Sequence, residues 1–169
     1  LLTREPQRRL QVLSNATSSE VIWPDTSGAL PEPWDQRPPA DAEALERWRL
    51  KQGWPSGDGE LSGETNPFEL GLSHWVSLSK GCYLGQETMA KLASTGGVKQ
   101  QLRVWSSTSL LAKGTMLQRD GARAGQITSV LPNRDAPGCI GLALVRRQHL
   151  DTTVLNGPEG EDLILQRPS

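Results

Sequence analysis

The residues with the clearest capacity for chemistry form one short run, Lys80-Gly81-Cys82-Tyr83-Leu84-Gly85-Gln86-Glu87. The run holds one of the two cysteines and the single tyrosine of the 169-residue chain. A thiol placed after a lysine and before a helix is typical of a reactive cysteine, because the ammonium and the helix N-terminus both favour the thiolate. The alternative is that Cys82 is a small apolar side chain in a turn. The run alone leaves both interpretations open.

The neighbouring elements must hold Cys82 in place. Gly81 and Gly85 bracket it, and glycine permits backbone angles that other residues adopt at a cost. Residues 75–78 predict a short strand that leads into the loop, and residues 86–94 predict a helix that follows it. One buried face of that helix is expected to carry Met89, Leu92 and Ala93.

The run Lys-Gly-Cys-Tyr-x-Gly-Gln-Glu resembles the signature of the YgfZ-type folate-binding proteins. These are relatives of the glycine-cleavage T-protein, an aminomethyltransferase, and are linked to iron–sulfur cluster assembly and repair. Two further elements are similar to the family, Arg49-x-x-x-Gly53-x-Pro55 and the run from Asn66 to Leu72. The chain resembles the C-terminal portion of family members.

The resemblance implies a tetrahydrofolate site with Cys82 as its catalytic residue. The residues that it implies for cofactor binding are Arg49, Lys80, Gly81, Tyr83, Gly85, Gln86 and Glu87. The T-protein as a rule lacks a cysteine at this position, so Cys82 points to the YgfZ branch. Relatives usually have glutamate where this chain has Lys51, so any role of that carboxylate does not carry over.

Two charged side chains near these elements have open interpretations. Arg49 shares a predicted helix face with Leu45 and Trp48, so its guanidinium either snorkels to solvent or meets a buried anion. The resemblance favours the anion, with Arg49 facing the folate. Glu69 is expected to be a solvated helix carboxylate, with a structural bond to Lys80 or to the loop backbone as the alternative.

The composition limits the class of protein. With 18 basic and 19 acidic residues and a net charge of −1, the chain gives no reason to expect wholesale nucleic-acid binding. No apolar run approaches the roughly 20 residues that cross a bilayer, so we expect no membrane partner. Two separate cysteines and two histidines predict no metal site. The cysteines fit a reducing compartment, either the cytoplasm or, as the alternative, the plastid stroma or the mitochondrial matrix.

The predicted fold class is α+β. The resemblance implies that residues 1–96 form a partial aminomethyltransferase-like α/β domain that binds folate. Within it, the residues themselves predict a proline-rich loop over 24–40 and a helix over 42–52. From residue 97 the apolar positions alternate and turns recur, which predicts an antiparallel β-barrel over 97–169. Cys139 lies in an apolar strand of that barrel and is expected to be core.

Three functions are compatible with this pattern. The first is a tetrahydrofolate-dependent factor for iron–sulfur cluster assembly or repair, with folate and iron–sulfur proteins or their assembly machinery as partners. The second is one-carbon transfer to tetrahydrofolate, as in an aminomethyltransferase. The third is a non-catalytic module that binds another protein and uses Cys82 only structurally.

Overall fold

A computed structural model of the chain describes residues 11–14, 19–22, 41–57, 59–95, 97–134 and 136–167. The chain divides into two units, of which the first comprises Leu1–Ala42 and Ser169 and the second comprises Glu43–Pro168. In the first unit, β1 (Gln11–Ser14) pairs antiparallel with β2 (Ser19–Ile22). The predicted proline-rich loop over 24–40 lies outside the described residues. The boundary expected between residues 96 and 97 stays a prediction.

The second unit is built on a closed antiparallel barrel, whose strands follow one another around the wall in the order β3-β6-β5-β4-β7-β8. The strands are β3 (Gln100–Ser107), β4 (Met116–Arg119), β5 (Ala122–Pro132), β6 (Cys139–Arg146), β7 (Val154–Asn156) and β8 (Asp162–Gln166). The barrel and the two helices described below confirm the predicted α+β class.

A two-residue turn at Asp120 and Gly121 connects β4 to β5 in a hairpin. Asp120 and Gly121 have φ of 51° and 76°, which is the left-handed region that a two-residue hairpin turn requires. The register shifts between Leu117 and Gln118, and again in β5 between Ile127 and Ser129. Such bulges bend strands and help a small sheet to close.

Both faces of β3 are buried, so the barrel wall has a core on each side. One cluster of buried residues contains Trp105, Leu117, Ile127, Cys139 and Leu163. The second cluster contains Leu102, Val104 and Leu142 together with Leu50, which comes from a helix outside the sheet. Because Leu102 and Trp105 differ by an odd number of positions, they belong to opposite faces of the strand. The helix of Leu50 therefore covers the outer wall of the barrel.

That helix is α1 (Ala42–Gln52), and its bounds match the prediction. Gly53 ends it with φ of 70°, and its N–H donates to the Leu50 carbonyl (3.0 Å). The second helix is α2 (Gln86–Thr95). Neither helix is long and apolar enough to cross a membrane, and the same holds for every helix in the described part of the chain.

Two predictions around Cys82 are wrong. The expected strand over 75–78 is absent from this described stretch, which instead has a 3₁₀ turn at Ser73–Trp75 followed by irregular chain. Trp75 is 61% exposed, so its side chain has no sheet face to pack on. The expected buried face of α2 is also missing, since Met89 and Leu92 are half-buried and Ala93 is exposed.

Candidate functional site

Gln86, the first residue of α2, holds the Cys82 loop in shape. Its Oε1 accepts from the Tyr83 N–H (3.3 Å), while its Nε2 donates to the carbonyls of Leu78 (3.2 Å) and Lys80 (3.3 Å). Gly85 has φ of 85°, a conformation that favours glycine, and its carbonyl accepts from the N–H of Met89 (3.0 Å). One amide side chain thus fixes the backbone on both sides of the cysteine.

The loop exposes Cys82 to solvent and leaves Tyr83 half-buried. Cys82 is a free, exposed cysteine. The ammonium of Lys80 lies over the Tyr83 ring, 4.8 Å from its centroid, which is a cation–π contact. The Tyr83 hydroxyl is buried and has no hydrogen-bond partner among the described residues. A polar atom in that situation is unusual, because buried polar groups are normally paired.

The remaining loop positions differ in how tightly they are constrained. Gly81 does not have a positive φ, and a Cβ at that position would meet open space. Gly85 also has open space around it, but its positive φ would strain any other residue. Glu87 is exposed on the first turn of α2. Of the two bracketing glycines, the backbone geometry therefore requires Gly85 alone.

Arg49 lies in a network of its own on α1. Its Nε and Nη2 donate to the two carboxylate oxygens of Glu46 (2.7 and 2.6 Å), and its Nη1 donates to the Trp54 carbonyl. Nη2 also donates to Ser129 Oγ (3.2 Å), and Nη1 lies 3.5 Å from Glu60 Oε2. The guanidinium meets carboxylates as one of the two interpretations predicted, but they are carboxylates of this chain.

Glu60 is the buried member of this network. Its side chain is fully buried and accepts from Ser129 Oγ (2.7 Å) and from the Ser56 N–H (2.8 Å). Glu60 and Ser129 lie far apart in sequence, and no periodicity marks Glu60 within its glycine-rich loop. Sequence analysis missed both residues, and the only available signal was an acidic residue in an otherwise small, polar loop.

The contact between Arg49 and Glu46 shifts the pKa of both side chains. The hydrogen bonds that Arg49 donates to Glu46 raise the pKa of the Arg49 guanidinium, and the same bonds lower the pKa of the Glu46 carboxyl. Each effect stabilises the charged form, so the pair stays ionised. No hydrogen bond or ion pair within the described residues joins Arg49 to the Cys82 loop.

Glu69 is buried, so the expectation of a solvated carboxylate is wrong. Its Oε2 accepts from the Asn66 N–H (3.2 Å), and its own N–H donates to Asn66 Oδ1 (3.0 Å). This reciprocal pair is a capping box around Pro67. The Glu69 carbonyl accepts from the N–H of Leu102 (2.7 Å), which fastens the turn to β3. Its second carboxylate oxygen is buried without a donor in the described structure.

The described part of the chain contains no group of three or more histidine, cysteine, aspartate or glutamate side chains that could hold a metal ion. The candidate site is an exposed thiol on a clamped loop, and the same loop carries a lysine stacked on a half-buried tyrosine. That arrangement suits a nucleophilic or sulfur-exchanging cysteine.

Comparison with known proteins identifies the group to which these elements belong. A chloroplastic protein of Arabidopsis thaliana, whose name assigns it provisionally to the transferases, is 34% identical over 132 residues, or 77% of this chain. An aminomethyltransferase of Thermotoga neapolitana is 31% identical over 137 residues, or 81% of this chain. A mitochondrial iron–sulfur cluster assembly factor of Mus musculus is 31% identical over 118 residues, or 64%. The chain belongs to the YgfZ/aminomethyltransferase-related family.

The match to this family is partial in length. The chain spans 31%, 37% and 31% of those three relatives, roughly a third of each. No family model matches the chain. Within the YgfZ/aminomethyltransferase-related family, the named activities differ between relatives, so the family alone does not choose between cluster assembly and one-carbon transfer.

Proposed function

We propose that the protein is a tetrahydrofolate-dependent factor that supports iron–sulfur cluster assembly or repair, with Cys82 as its reactive residue. The observation that carries the proposal is the exposed thiol of Cys82 in a loop that Gln86 clamps on both sides. A cysteine kept only for packing would be buried, as Cys139 is. The mouse assembly factor among the relatives supports the same assignment.

The thiol is proposed to contact a sulfur or cluster intermediate transiently. A stable iron–sulfur cluster typically needs about four cysteine ligands, and this chain has two cysteines, one of them buried. Holding a cluster permanently is therefore a poor fit. An exposed cysteine can instead react as its thiolate with the outer sulfur of a persulfide on the assembly machinery, so that the S–S bond of the donor breaks and the donor cysteine leaves as a thiolate. It can also ligate a cluster in transit, with no change of oxidation state.

Tetrahydrofolate fits the loop better than it fits Arg49. Lys80 offers a cation beside an aromatic face, and the Tyr83 hydroxyl, which has no partner within the described residues, would become available to a ligand if the loop opened around it. When bound, tetrahydrofolate supplies pterin nitrogens that carry one-carbon units. Lys80, Tyr83, Gln86 and the loop backbone at Gly81, Gly85 and Glu87 are proposed to bind and orient it.

Arg49 stays in the proposed site with a narrower role. All three of its guanidinium nitrogens already donate to acceptors of this chain. A folate anion would have to displace one of these acceptors, and the exposed side of Glu46 is the easiest to move. We propose that Arg49 binds the folate through that exchange.

A second candidate function is one-carbon transfer to tetrahydrofolate. The aminomethyltransferase names among the relatives favour it. Cys82 and Lys51 are departures from the T-protein pattern and weigh against it. A full-length protein that transfers a methylene group from aminomethyl-lipoyl protein to tetrahydrofolate would establish this second function in place of the first.

The deciding experiment is complementation by cysteine variants in cells that lack the native factor. Cys82→Ser is expected to fold normally, because serine is nearly isosteric and the position is exposed, yet to leave iron–sulfur enzymes inactive. Cys139→Ser is the matched control, expected to lower the melting temperature while still restoring those enzymes. Full complementation by Cys82→Ser would remove the thiol from the mechanism.

The compartment also belongs to this proposal. The name of the Arabidopsis thaliana relative describes it as chloroplastic, and the name of the Mus musculus relative describes it as mitochondrial. They favour the plastid stroma or the mitochondrial matrix over the cytoplasm, which we expected first. A fluorescent fusion of the full-length protein, expressed in its own cells, distinguishes the three.

A further inference from the structure

A groove on the barrel surface is lined by cations that have no acidic partner. Lys99, Arg123 and Arg146 line two adjoining cavities of about 550 and 850 Å³, and Arg147 lines the larger one. All four side chains are exposed. Within the described residues, none of the four forms an ion pair or a side-chain hydrogen bond.

Among the exposed or partly exposed arginines of the described chain, this lack of acidic partners is confined to the groove. The other exposed or partly exposed arginines in the described chain form ion pairs with acidic side chains, and these are Arg47, Arg49, Arg119, Arg134 and Arg167. The buried Arg103 donates to Gln101 and to the Leu102 carbonyl. The four groove cations form no ion pair although acidic side chains also line the cavities, so an anion bound in the groove would relieve the repulsion among these cations.

The barrel topology brings these cations together from distant parts of the sequence. Gln100 of β3 pairs with Arg146 of β6, and the Arg147 N–H donates to the Lys99 carbonyl (3.0 Å). On the other side of β6, Gly125 of β5 pairs with Val145, which places Arg123 near the same end of the strands. The cluster is therefore a product of the fold, held on rigid strands.

We propose that this groove binds a short polycarboxylate, namely an acidic peptide segment of a protein partner. Guanidinium groups bind carboxylates through paired hydrogen bonds, and three arginines with one lysine can hold several carboxylates along an extended chain. Neutral donors on the walls, including Gln100 and Gln126, add hydrogen bonds to the peptide. This binding site is separate from Cys82 and does not depend on the proposed folate chemistry.

The lining of the groove argues against a nucleic acid. Proteins that bind single strands stack bases on aromatic side chains, and neither cavity has an aromatic residue in its lining. Glu60 and Glu64 line one cavity and Asp151 lines the other, so the lining of each cavity includes acidic side chains. A single-stranded nucleic acid is bound along a continuous cationic groove, and these acids interrupt the cations.

The test measures binding of fluorescently labelled pentaglutamate to the intact protein by anisotropy. We expect binding that weakens as salt rises from about 50 to about 200 mM, because the contacts are ionic. Arg123→Gln combined with Arg146→Gln is expected to weaken binding by about tenfold or more, because two charge-assisted pairs are lost. Lys51→Gln combined with Lys91→Gln changes the net charge equally on exposed sites outside the groove, and should leave the affinity within about twofold.

Each outcome decides for or against the groove. Retained melting temperatures with selective loss in the arginine pair support the proposal. Equal loss in both pairs would mean non-specific attraction, and absence of pentaglutamate binding would also overturn it. Tighter binding of a thymidine oligonucleotide with the same charge would replace the acidic peptide with a nucleic acid as the ligand.

Discussion

At the scale of single residues, burial separates the two cysteines. Cys139 has no exposed surface, its thiol donates to the Ser109 carbonyl (3.2 Å), and burial raises its pKa. Cys82 is exposed. We therefore expect iodoacetamide to modify Cys82 in the folded protein and to reach Cys139 only after unfolding. Mass spectrometry of native and denatured samples checks this, and native alkylation of Cys139 would contradict it.

Gly141 is a second residue where the structure makes a sharp prediction. A Cβ at this position would collide with the Ser129 carbonyl oxygen and lie 2.8 Å from the Trp105 ring. Gly141→Ala is expected to lower the free energy of unfolding by about 1–3 kcal/mol through overpacking. Gly57→Ala is the control, since a Cβ there meets nothing and its φ is not positive, and it should change stability by less than about 0.5 kcal/mol. Equal effects in urea unfolding would refute the prediction.

Sequence analysis succeeded at the residue scale where the cause is local. The cap at Asn66, the helix end at Gly53 and the turn at Asp120-Gly121 each depend on residues only a few positions apart. The pairing of Glu60 with Ser129 could not be predicted, because it exists only after the loop and β5 meet in three dimensions. The same holds for the acceptors that surround Arg49.

At the scale of elements, α1 is fastened to the barrel by a buried carboxylate. Glu60 joins Arg49 of α1 to Ser129 of β5, and its side chain is fully buried. Glu60→Ala leaves a partly buried guanidinium and a serine hydroxyl without this partner, and is expected to cost about 2–4 kcal/mol. Glu46→Ala removes a carboxylate that is 38% exposed and should cost less than about 1 kcal/mol.

The test compares the losses in free energy of unfolding caused by Glu60→Ala and by Glu46→Ala. Chemical unfolding of both variants under one condition gives their free energies directly. If Glu46→Ala lowered the free energy of unfolding more than Glu60→Ala, the exposed Arg49–Glu46 pair would contribute more to stability than the buried Glu60. In that case Glu60 would contribute little to holding α1 on the barrel.

Element predictions failed where packing partners were absent. The apolar run over 75–78 has strand-like composition, but no strand in the described chain pairs with it. A single strand leaves its backbone groups unpaired and gains little from its propensity alone. The spacing of Met89, Leu92 and Ala93 likewise defines a face of α2, while burial of that face needs a surface to cover it.

At the scale of the whole molecule, the sequence predicted the barrel but not the packing of α1 on its outer wall. Apolar and polar residues alternate along each strand and turn residues separate the strands, so the sequence predicted the strands from β3 to β8 in order. The closure of β3 with β8, and the packing of α1 on the outer wall, join residues that are far apart in sequence. The net charge of −1 also gave no hint of the cationic groove, because a sum over the chain hides where charges converge.

The place of α1 in the barrel can be tested by truncation, and the test also examines the expected boundary between residues 96 and 97. Leu50 has no exposed surface and packs with Leu102, Val104 and Leu142. A fragment of residues 97–169 would expose that outer wall, so it should melt well below a fragment of residues 41–169. Leu50→Ala in the longer fragment is expected to cost about 2–5 kcal/mol, the usual range for a buried leucine. Equal melting temperatures for both fragments would show that the barrel folds independently of α1 and would support a boundary at residue 96.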